Sequence, residues 1–202
     1  LDGLSSGITL ISCVSLLIIF LLTPSSPLIS ILLITALAGS IVGFLPFNFS
    51  PAKTFIGDVG SNFLGFSLAV ISILGVAKTY TALVLIAPII VLGLPIFDTI
   101  FAIIRRIIKG KSIKAVFKAD KGHLHHRLMK RGYTQKQAVL ILYGLTATLG
   151  MFAIILLESG IWKAFSFALL VIAIIAIGYK DIFRVKQDDI ETIDETHIRT
   201  DK

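Results

Sequence analysis

The chain has 202 residues, of which 55% are hydrophobic and 15% are charged, and its mean hydropathy is +0.93. This composition is too apolar for a soluble domain and indicates a polytopic membrane protein. The single cysteine, Cys13, lies in an apolar run, so the sequence excludes a disulfide framework and a thiolate metal site within these residues.

The first residues, LDGLSSG, precede the first apolar run without an initiator Met or a charged leader segment. Asp2 lies at the edge of that run. We therefore expect an N-terminal portion of the protein to precede Leu1.

Six apolar runs predict an all-α transmembrane bundle of about six spans. A span needs about 20 apolar residues, and its backbone polar groups must be satisfied within the segment. We expect residues 1–179 to form a transmembrane domain and residues 180–202 a disordered cytoplasmic tail. The runs are Gly7–Leu22, Leu28–Phe47, Phe63–Ala77, Ala82–Ile104, Ala138–Leu157 and Ile161–Tyr179.

The segment Pro51–Gly65 brackets one aspartate with glycines that permit tight turns. Ser61 is predicted to be the N-cap of the third span. Asp58 could hold a hard cation beside that helix N-terminus, or it could only complement the helix dipole. Spacing alone slightly favours the second interpretation.

The fourth run contains Pro88 and Pro95, followed by Asp98. Proline inside a span kinks the helix and frees a carbonyl group. A kinked span that carries a carboxylate is typical of a cavity wall. A packing kink with Asp98 at the water interface explains the pattern equally well.

A basic segment, residues 105–136, determines the predicted orientation. It contains eleven Lys or Arg and one acid, Asp120, whereas the whole chain has a net charge of +7. Because Lys and Arg accumulate on the cytoplasmic side, we expect loops 48–62 and 105–136 and both chain ends to face the cytoplasm.

Three histidines, His123, His125 and His126, lie within this basic segment. They could bind zinc, but the neighbouring cations, among them Lys121 and Arg127, would repel a metal ion. Phosphate or diphosphate binding suits the charge better, because a guanidinium group can grip phosphate oxygens in bidentate fashion. A positively charged membrane anchor explains the cations but not the clustered histidines.

Four segments, in order, resemble the polyprenyl-phosphate N-acetylhexosamine-1-phosphate transferases of the bacterial plasma membrane, which start wall teichoic acid, O-antigen and related polymers. The resemblance implies that residues 1–179 form a catalytic domain. It implies transfer of a sugar-1-phosphate, GlcNAc-1-phosphate first, from a UDP-N-acetylhexosamine to undecaprenyl phosphate with Mg²⁺ or Mn²⁺, and release of UMP. It further implies contact with the lipid bilayer, no nucleic-acid partner, and compatibility with a homodimer. The segments are LDGLSSG, PAKTFIGDVGSNFLGF, PIFDTIFAIIRRIIKGKS and ADKGHLHHRLMKRGYTQKQAV.

The same resemblance implies roles for individual residues. Asp58 corresponds to the aspartate of the family's GD-x-GS loop, a Mg²⁺ ligand and catalytic residue, and Asp2 resembles the second aspartate of its catalytic DG-x-DG pattern. The H-x-HH motif at the nucleotide-sugar diphosphate matches His123, His125 and His126. Lys53, Asp120, Lys121 and Arg127 are further candidates for substrate binding. Since the family's earlier aspartate pair is not among residues 1–202, we expect this stretch alone to be inactive.

Other functions remain open from the sequence. The phospho-MurNAc-pentapeptide transferases usually show three consecutive histidines followed by an acidic stretch, so His123-Leu124-His125-His126-Arg127 fits the GlcNAc branch better. A transporter with a kinked helix and a charged gate is an alternative of a different class. A non-catalytic membrane anchor would tolerate replacement of the histidines.

Overall fold

The computed structural model describes residues 1–76, 82–110 and 123–172. In these ranges the regular structure consists of helices, and residues 1–160 form one compact unit. A second unit begins at Ile161, and its described part is the last helix. The helices are α1 (Leu4–Leu22), α2 (Leu28–Asn48), α3 (Gly57–Val76), α4 (Ala82–Val91), α5 (Gly93–Gly110), α6 (Leu124–Lys130), α7 (Gln135–Ser159) and α8 (Ile161–Ile172).

Four helices, α1, α2, α3 and α7, are long and apolar enough to cross a membrane. The bent pair α4 and α5 gives a fifth span if it is counted as one. The predicted all-α transmembrane class is confirmed. The sixth predicted run is described only as far as Ile172, and both residues 173–179 and the tail 180–202 lie outside the described residues.

Helix α1 is the central element of the first unit. It packs against α2, α3, α4 and α7, and 50% of its span is buried, compared with 17% of the α2 span. Small residues let helix backbones approach closely in a membrane, where lipid is as apolar as the side chains. Three glycines each face a side chain of another helix: Gly7 faces Tyr143, Gly75 faces Phe20 and Gly150 faces Ser15.

The fourth predicted span is broken, as its prolines predict. Helices α4 and α5 meet at a bend of 67°, which we call the α4–α5 elbow. The Leu92 N–H still donates to the Pro88 carbonyl at 3.0 Å. Pro95 lies in the first turn of α5, where a missing N–H is tolerated. Because proline has no N–H to donate, it cannot continue the backbone hydrogen bonds of α4. The single run Ala82–Ile104 is therefore two helices.

Helix α5 has its polar face turned towards the protein. Asp98 and Arg105 are partly buried and Ala102 is buried, at spacings of four and three residues. The opposite face exposes large apolar side chains, including Phe101 and Ile108. A helix with this distribution suits an apolar surrounding, and it directs the carboxylate of Asp98 towards its helical neighbours.

Several helices begin or end at different residues from the apolar runs that predicted them. Helix α3 begins at Gly57, which has a φ of +66°, so residues 57–62 of the predicted loop 48–62 are helical. The prediction of Ser61 as an N-cap is therefore wrong, and its hydroxyl instead donates to the Asp58 carbonyl at 3.1 Å. Within 105–136, the described residues 105–110, 124–130 and 135–136 are also helical.

Candidate active site

The beginning of the chain contacts the connection between α2 and α3. The Ala52 N–H donates to Oδ2 of Asp2 at 3.2 Å, next to the exposed Lys53. The hydroxyl of Tyr143 on α7 donates to the Gly3 carbonyl. The beginning of the chain thus contacts both the α2–α3 connection and α7, close to the start of α1.

A cavity of about 610 Å³, the large cavity, opens among α1, α3, the α4–α5 elbow, α6 and α7. Its walls are chiefly aliphatic, whereas its polar lining includes Ser61 on α3, Asp98 on α5 and His125 on α6. Leu4 and Ser5 of the first α1 turn also line it, two and three residues after Asp2. The cavity combines apolar walls with a carboxylate and an imidazole, an arrangement suited to an amphipathic ligand.

The three histidines form a cluster at the start of α6. The ring centroids of His123 and His125 are 5.9 Å apart with nearly parallel planes, and those of His125 and His126 are 4.2 Å apart. Burial, and then electrostatic repulsion from the neighbouring His126, lower the pKa of His125 from 6.5 to about 4. At neutral pH this imidazole is uncharged and can donate one hydrogen bond.

Asp98 connects this cluster to α5. Its Oδ2 lies 2.8 Å from Nδ1 of His123, and its Oδ1 accepts the Leu124 N–H at 2.9 Å. The sequence pattern is equally compatible with Asp98 in a cavity wall and with Asp98 at the water interface. The signal was its place in a proline-kinked span, and the structure places it in the lining of the large cavity.

The other predicted site residues differ in their relation to this pair. Asp58 is exposed in the first turn of α3, and Arg127 is exposed on α6. With Arg105 and Asp98, Arg127 lines a second cavity of about 260 Å³, the small cavity. Asp120 and Lys121 lie outside the described residues.

The metal interpretations differ in their fit to the geometry. In the described part of the chain, no three His, Cys, Asp or Glu side chains converge as ligands, so the zinc interpretation has no geometric support. Magnesium needs less from the protein, since it often takes one or two carboxylates, substrate phosphates and several waters. The exposed carboxylate of Asp58 fits that role as a single protein ligand.

Comparison with known proteins agrees with the motifs. Residues 1–76 match the model of glycosyl transferase family 4. The chain is 44% identical over 162 residues to the Bacillus subtilis protein named "Probable undecaprenyl-phosphate N-acetylglucosaminyl 1-phosphate transferase", with 80% of this chain and 44% of that protein covered. It is 36% identical over 165 residues to the decaprenyl-phosphate N-acetylglucosaminephosphotransferase of Mycobacterium leprae, with 71% and 39% covered.

A further relative belongs to the branch considered as an alternative. It is the phospho-N-acetylmuramoyl-pentapeptide-transferase of Limosilactobacillus reuteri, 46% identical over 77 residues, with 37% of this chain and 24% of that protein covered. The chain spans less than half the length of each of these three relatives. The family match, the relatives and the membrane-spanning helices together show that the chain belongs to glycosyl transferase family 4.

Proposed function

We propose that the protein transfers N-acetylglucosamine 1-phosphate from UDP-N-acetylglucosamine to undecaprenyl phosphate, as the first membrane step in the synthesis of a cell-envelope polymer. The observation that carries this proposal is the large cavity, whose aliphatic walls adjoin His125 and Asp98. Part of an isoprenoid chain needs such walls, and its phosphate needs hydrogen-bond donors where they end. The names of the Bacillus subtilis and Mycobacterium leprae relatives specify polyprenyl-phosphate acceptors and N-acetylglucosamine.

The proposed reaction exchanges one P–O bond for another. An oxygen of the lipid phosphate attacks the sugar-bearing phosphorus of the UDP-sugar. The bond from that phosphorus to the bridging oxygen breaks, and UMP leaves with this oxygen. Both reactants are anions, so the site must neutralise charge and hold the two phosphates in line.

The histidine cluster is the proposed clamp for the donor diphosphate. His125 faces the large cavity and is neutral at pH 7, so a bound anion would favour its protonation. Arg127 is exposed in the last turn of α6 and can offer two parallel N–H groups to phosphate oxygens. Lys53, Asp120 and Lys121 complete the proposed substrate-binding set. Asp2, two residues before Leu4 in the cavity lining, is a proposed catalytic residue.

Asp58 is the proposed ligand of Mg²⁺, which Mn²⁺ could replace. When bound, the ion would neutralise phosphate charge during transfer. The position of Asp58 in the first turn of α3 supports this role and equally supports a contribution to the helix dipole. A replacement that separates the two roles is therefore needed.

The proposed site faces the cytoplasm of a bacterial plasma membrane. Support comes from the basic segment 105–136, since Lys and Arg favour the cytoplasmic side. Two of these basic residues, Arg127 and Lys130, lie in the last turn of α6, the same short helix that holds His125 and His126. The homodimer stays a prediction.

The test uses the protein expressed from its natural gene, with any flanking sequence that the gene encodes. Membranes receive radiolabelled UDP-N-acetylglucosamine, undecaprenyl phosphate and Mg²⁺, and lipid-extractable label and UMP are measured. We expect equal amounts of both products. His125→Ala should lose most of this activity, whereas His197→Ala, a replacement of the fourth histidine, should retain it.

Each alternative function has its own result. Transfer from UDP-MurNAc-pentapeptide, with none from UDP-N-acetylglucosamine, would assign the protein to the muramoyl branch. Release of neither UMP nor labelled lipid, in membranes where the protein is inserted at normal levels, would refute the transferase proposal. Uptake of solute by proteoliposomes in that case would favour the transporter.

A further inference from the structure

The carboxylate of Asp98 forms two hydrogen bonds to the beginning of α6. Oδ2 lies 2.8 Å from Nδ1 of His123, and Oδ1 accepts the backbone N–H of Leu124 at 2.9 Å. Both side chains are partly shielded from water, with 33% of His123 and 25% of Asp98 exposed. A shielded, charge-assisted pair with both oxygens engaged fixes geometry better than an exposed ion pair does.

This contact determines which nitrogen of His123 carries a proton. An ionised carboxylate only accepts hydrogen bonds, so Nδ1 of His123 is the donor. The opposite ring nitrogen, Nε2, has no hydrogen-bond partner among the described residues. It is therefore available to a ligand, as a proton acceptor in the neutral ring and as a donor in the imidazolium.

The orientation of His123 affects the rest of the cluster. Its ring lies nearly parallel to that of His125 at a centroid distance of 5.9 Å, and His125 lines the large cavity. Asp98 lines the large cavity together with His125 and the small cavity together with Arg127. A shift of this carboxylate would displace the start of α6 with its imidazoles.

We propose that Asp98 is a positioning residue that holds His123 in the Nδ1–H form and presents Nε2 to the diphosphate of the nucleotide sugar. This inference rests on the proposed function, because it takes the diphosphate as the ligand. Asp98 itself acts through His123 and the α6 backbone. In metal sites, partners that orient a ligating imidazole typically change affinity or activity about 10–100-fold when they are replaced, and we expect an effect of the same size for Asp98.

If Asp98 only linked α5 to α6, Asp98→Asn would leave substrate affinity and turnover unchanged. The amide oxygen can still accept the Leu124 N–H, and the amide nitrogen can donate to Nδ1 of His123. The link would survive, but His123 would be forced into the Nε2–H form. This variant therefore keeps the helix contact and reverses the tautomer.

The experiment uses the complete natural protein in nanodiscs with ¹⁵N-labelled histidine. The tautomer of His123 is read from its ring nitrogen shifts, assigned with His123→Ala. Binding of UDP-N-acetylglucosamine is measured by calorimetry, and turnover is measured as kcat and KM. We expect Nδ1–H in the wild type, Nε2–H in Asp98→Asn, an unchanged melting temperature, and a loss of about 10–100-fold in affinity or kcat/KM.

Two further variants separate positioning from general damage. The double variant Asp98→Asn/His123→Ala should be no more impaired than His123→Ala alone, because Asp98 acts through that ring. Glu158→Gln is the matched carboxylate-to-amide control. It lies about 35 Å from Gln135 along α7, at the opposite end of the helix, and should behave as the wild type.

Several results would overturn the proposal. If the proton of His123 is on Nε2 in the wild type, the proposal is overturned. This measurement needs no variant, so it holds even if Asp98→Asn fails to fold. Additive losses in the double variant would also overturn the proposal, as would a reversed tautomer with unchanged affinity and turnover. A wild-type protein that neither binds nor uses UDP-N-acetylglucosamine would instead refute the proposed function, while its His123 tautomer would still report on the Asp98 contact.

Discussion

The Ser6 hydroxyl on α1 donates a hydrogen bond of 2.6 Å to Oδ1 of Asn48, the last residue of α2, and both side chains are buried. The Asn48 amide also donates to the Thr54 carbonyl at 2.8 Å. One buried amide thus joins the start of α1, the end of α2 and the connection that carries Lys53. This connection leads directly into α3 and Asp58.

Replacing Asn48 should therefore destabilise the site end of the bundle. Asn48→Ala removes the donor to the Thr54 carbonyl and leaves the Ser6 hydroxyl with its longer bond of 3.3 Å to the Gly3 carbonyl, at a cost of about 1–3 kcal/mol in the free energy of unfolding. Thermal unfolding in detergent measures the loss. Thr35→Ala is the control, because its exposed hydroxyl bonds only within α2. Equal stability of the two variants would show that the Asn48 network contributes little.

Close packing of α1 against α7 gives a second prediction. A Cβ at Gly7 would overlap the Tyr143 phenol, which donates to the Gly3 carbonyl. Gly7→Ala should therefore push α7 away and lower stability by about 1–3 kcal/mol. Gly39→Ala on α2 has open space around its Cβ and should be neutral or slightly stabilising. Melting temperatures of both variants test the difference, and a neutral Gly7→Ala would contradict the described packing.

The membrane spans could be predicted because each carries its own apolar run, and the elbow because Pro88 and Pro95 interrupt the backbone ladder. The helix ends could not be predicted from hydropathy. Helix α7 begins at Gln135, three residues before its apolar run, because Thr134 and Gln137 form a capping box with hydrogen bonds of 3.3 and 2.9 Å. Helix hydrogen bonding continues through polar residues wherever a cap exists, and hydropathy does not detect it.

The histidine cluster of the site could be predicted from the sequence, but the contact between Asp98 and His123 could not. His123, His125 and His126 are neighbours in the sequence, so their cluster was visible. Asp98 lies 25 residues before His123, and their contact depends on where the elbow directs α5. No local pattern specifies that direction, since it follows from the packing of α4 and α5 against α7.

The shifted pKa of His125 predicts a pH dependence. Its folded value of about 4 lies below the ordinary 6.5, so the unfolded chain binds more protons between these values. The contribution of His125 to the free energy of unfolding is complete above pH 6.5 and falls as the pH drops from 6.5 to about 4. Titration of the His125 ring by NMR should give a midpoint near 4, and UDP-N-acetylglucosamine should raise it. A midpoint near 6.5 in the free protein would contradict the described burial.

The predicted orientation can be tested by labelling α6. Lys130 is exposed at the end of this helix, and Cys13 is buried, so Lys130→Cys in a Cys13→Ala background gives one accessible thiol within these residues. A membrane-impermeant maleimide should label inverted vesicles but not intact spheroplasts. Ser25→Cys, in the link between α1 and α2, should show the opposite pattern. Labelling of Lys130→Cys in spheroplasts would place the histidine cluster outside and refute the cytoplasmic site.

The two roles considered for Asp58 can be separated because they affect different measurements. As a charge in the first turn of α3, Asp58 contributes about 0.3–1 kcal/mol to stability through the helix dipole, and Asp58→Asn loses this in either case. As a metal ligand, it also contributes to turnover, so Asp58→Asn in the natural protein should lower kcat at least about a hundredfold. Mn²⁺ binding in the presence of UDP-N-acetylglucosamine, followed by electron paramagnetic resonance, should weaken in parallel. Glu158→Gln controls for the loss of a carboxylate. If Asp58→Asn keeps near-normal turnover at saturating Mg²⁺ and loses only the small stability increment, Asp58 acts on the helix dipole alone, and the metal must be held by other residues.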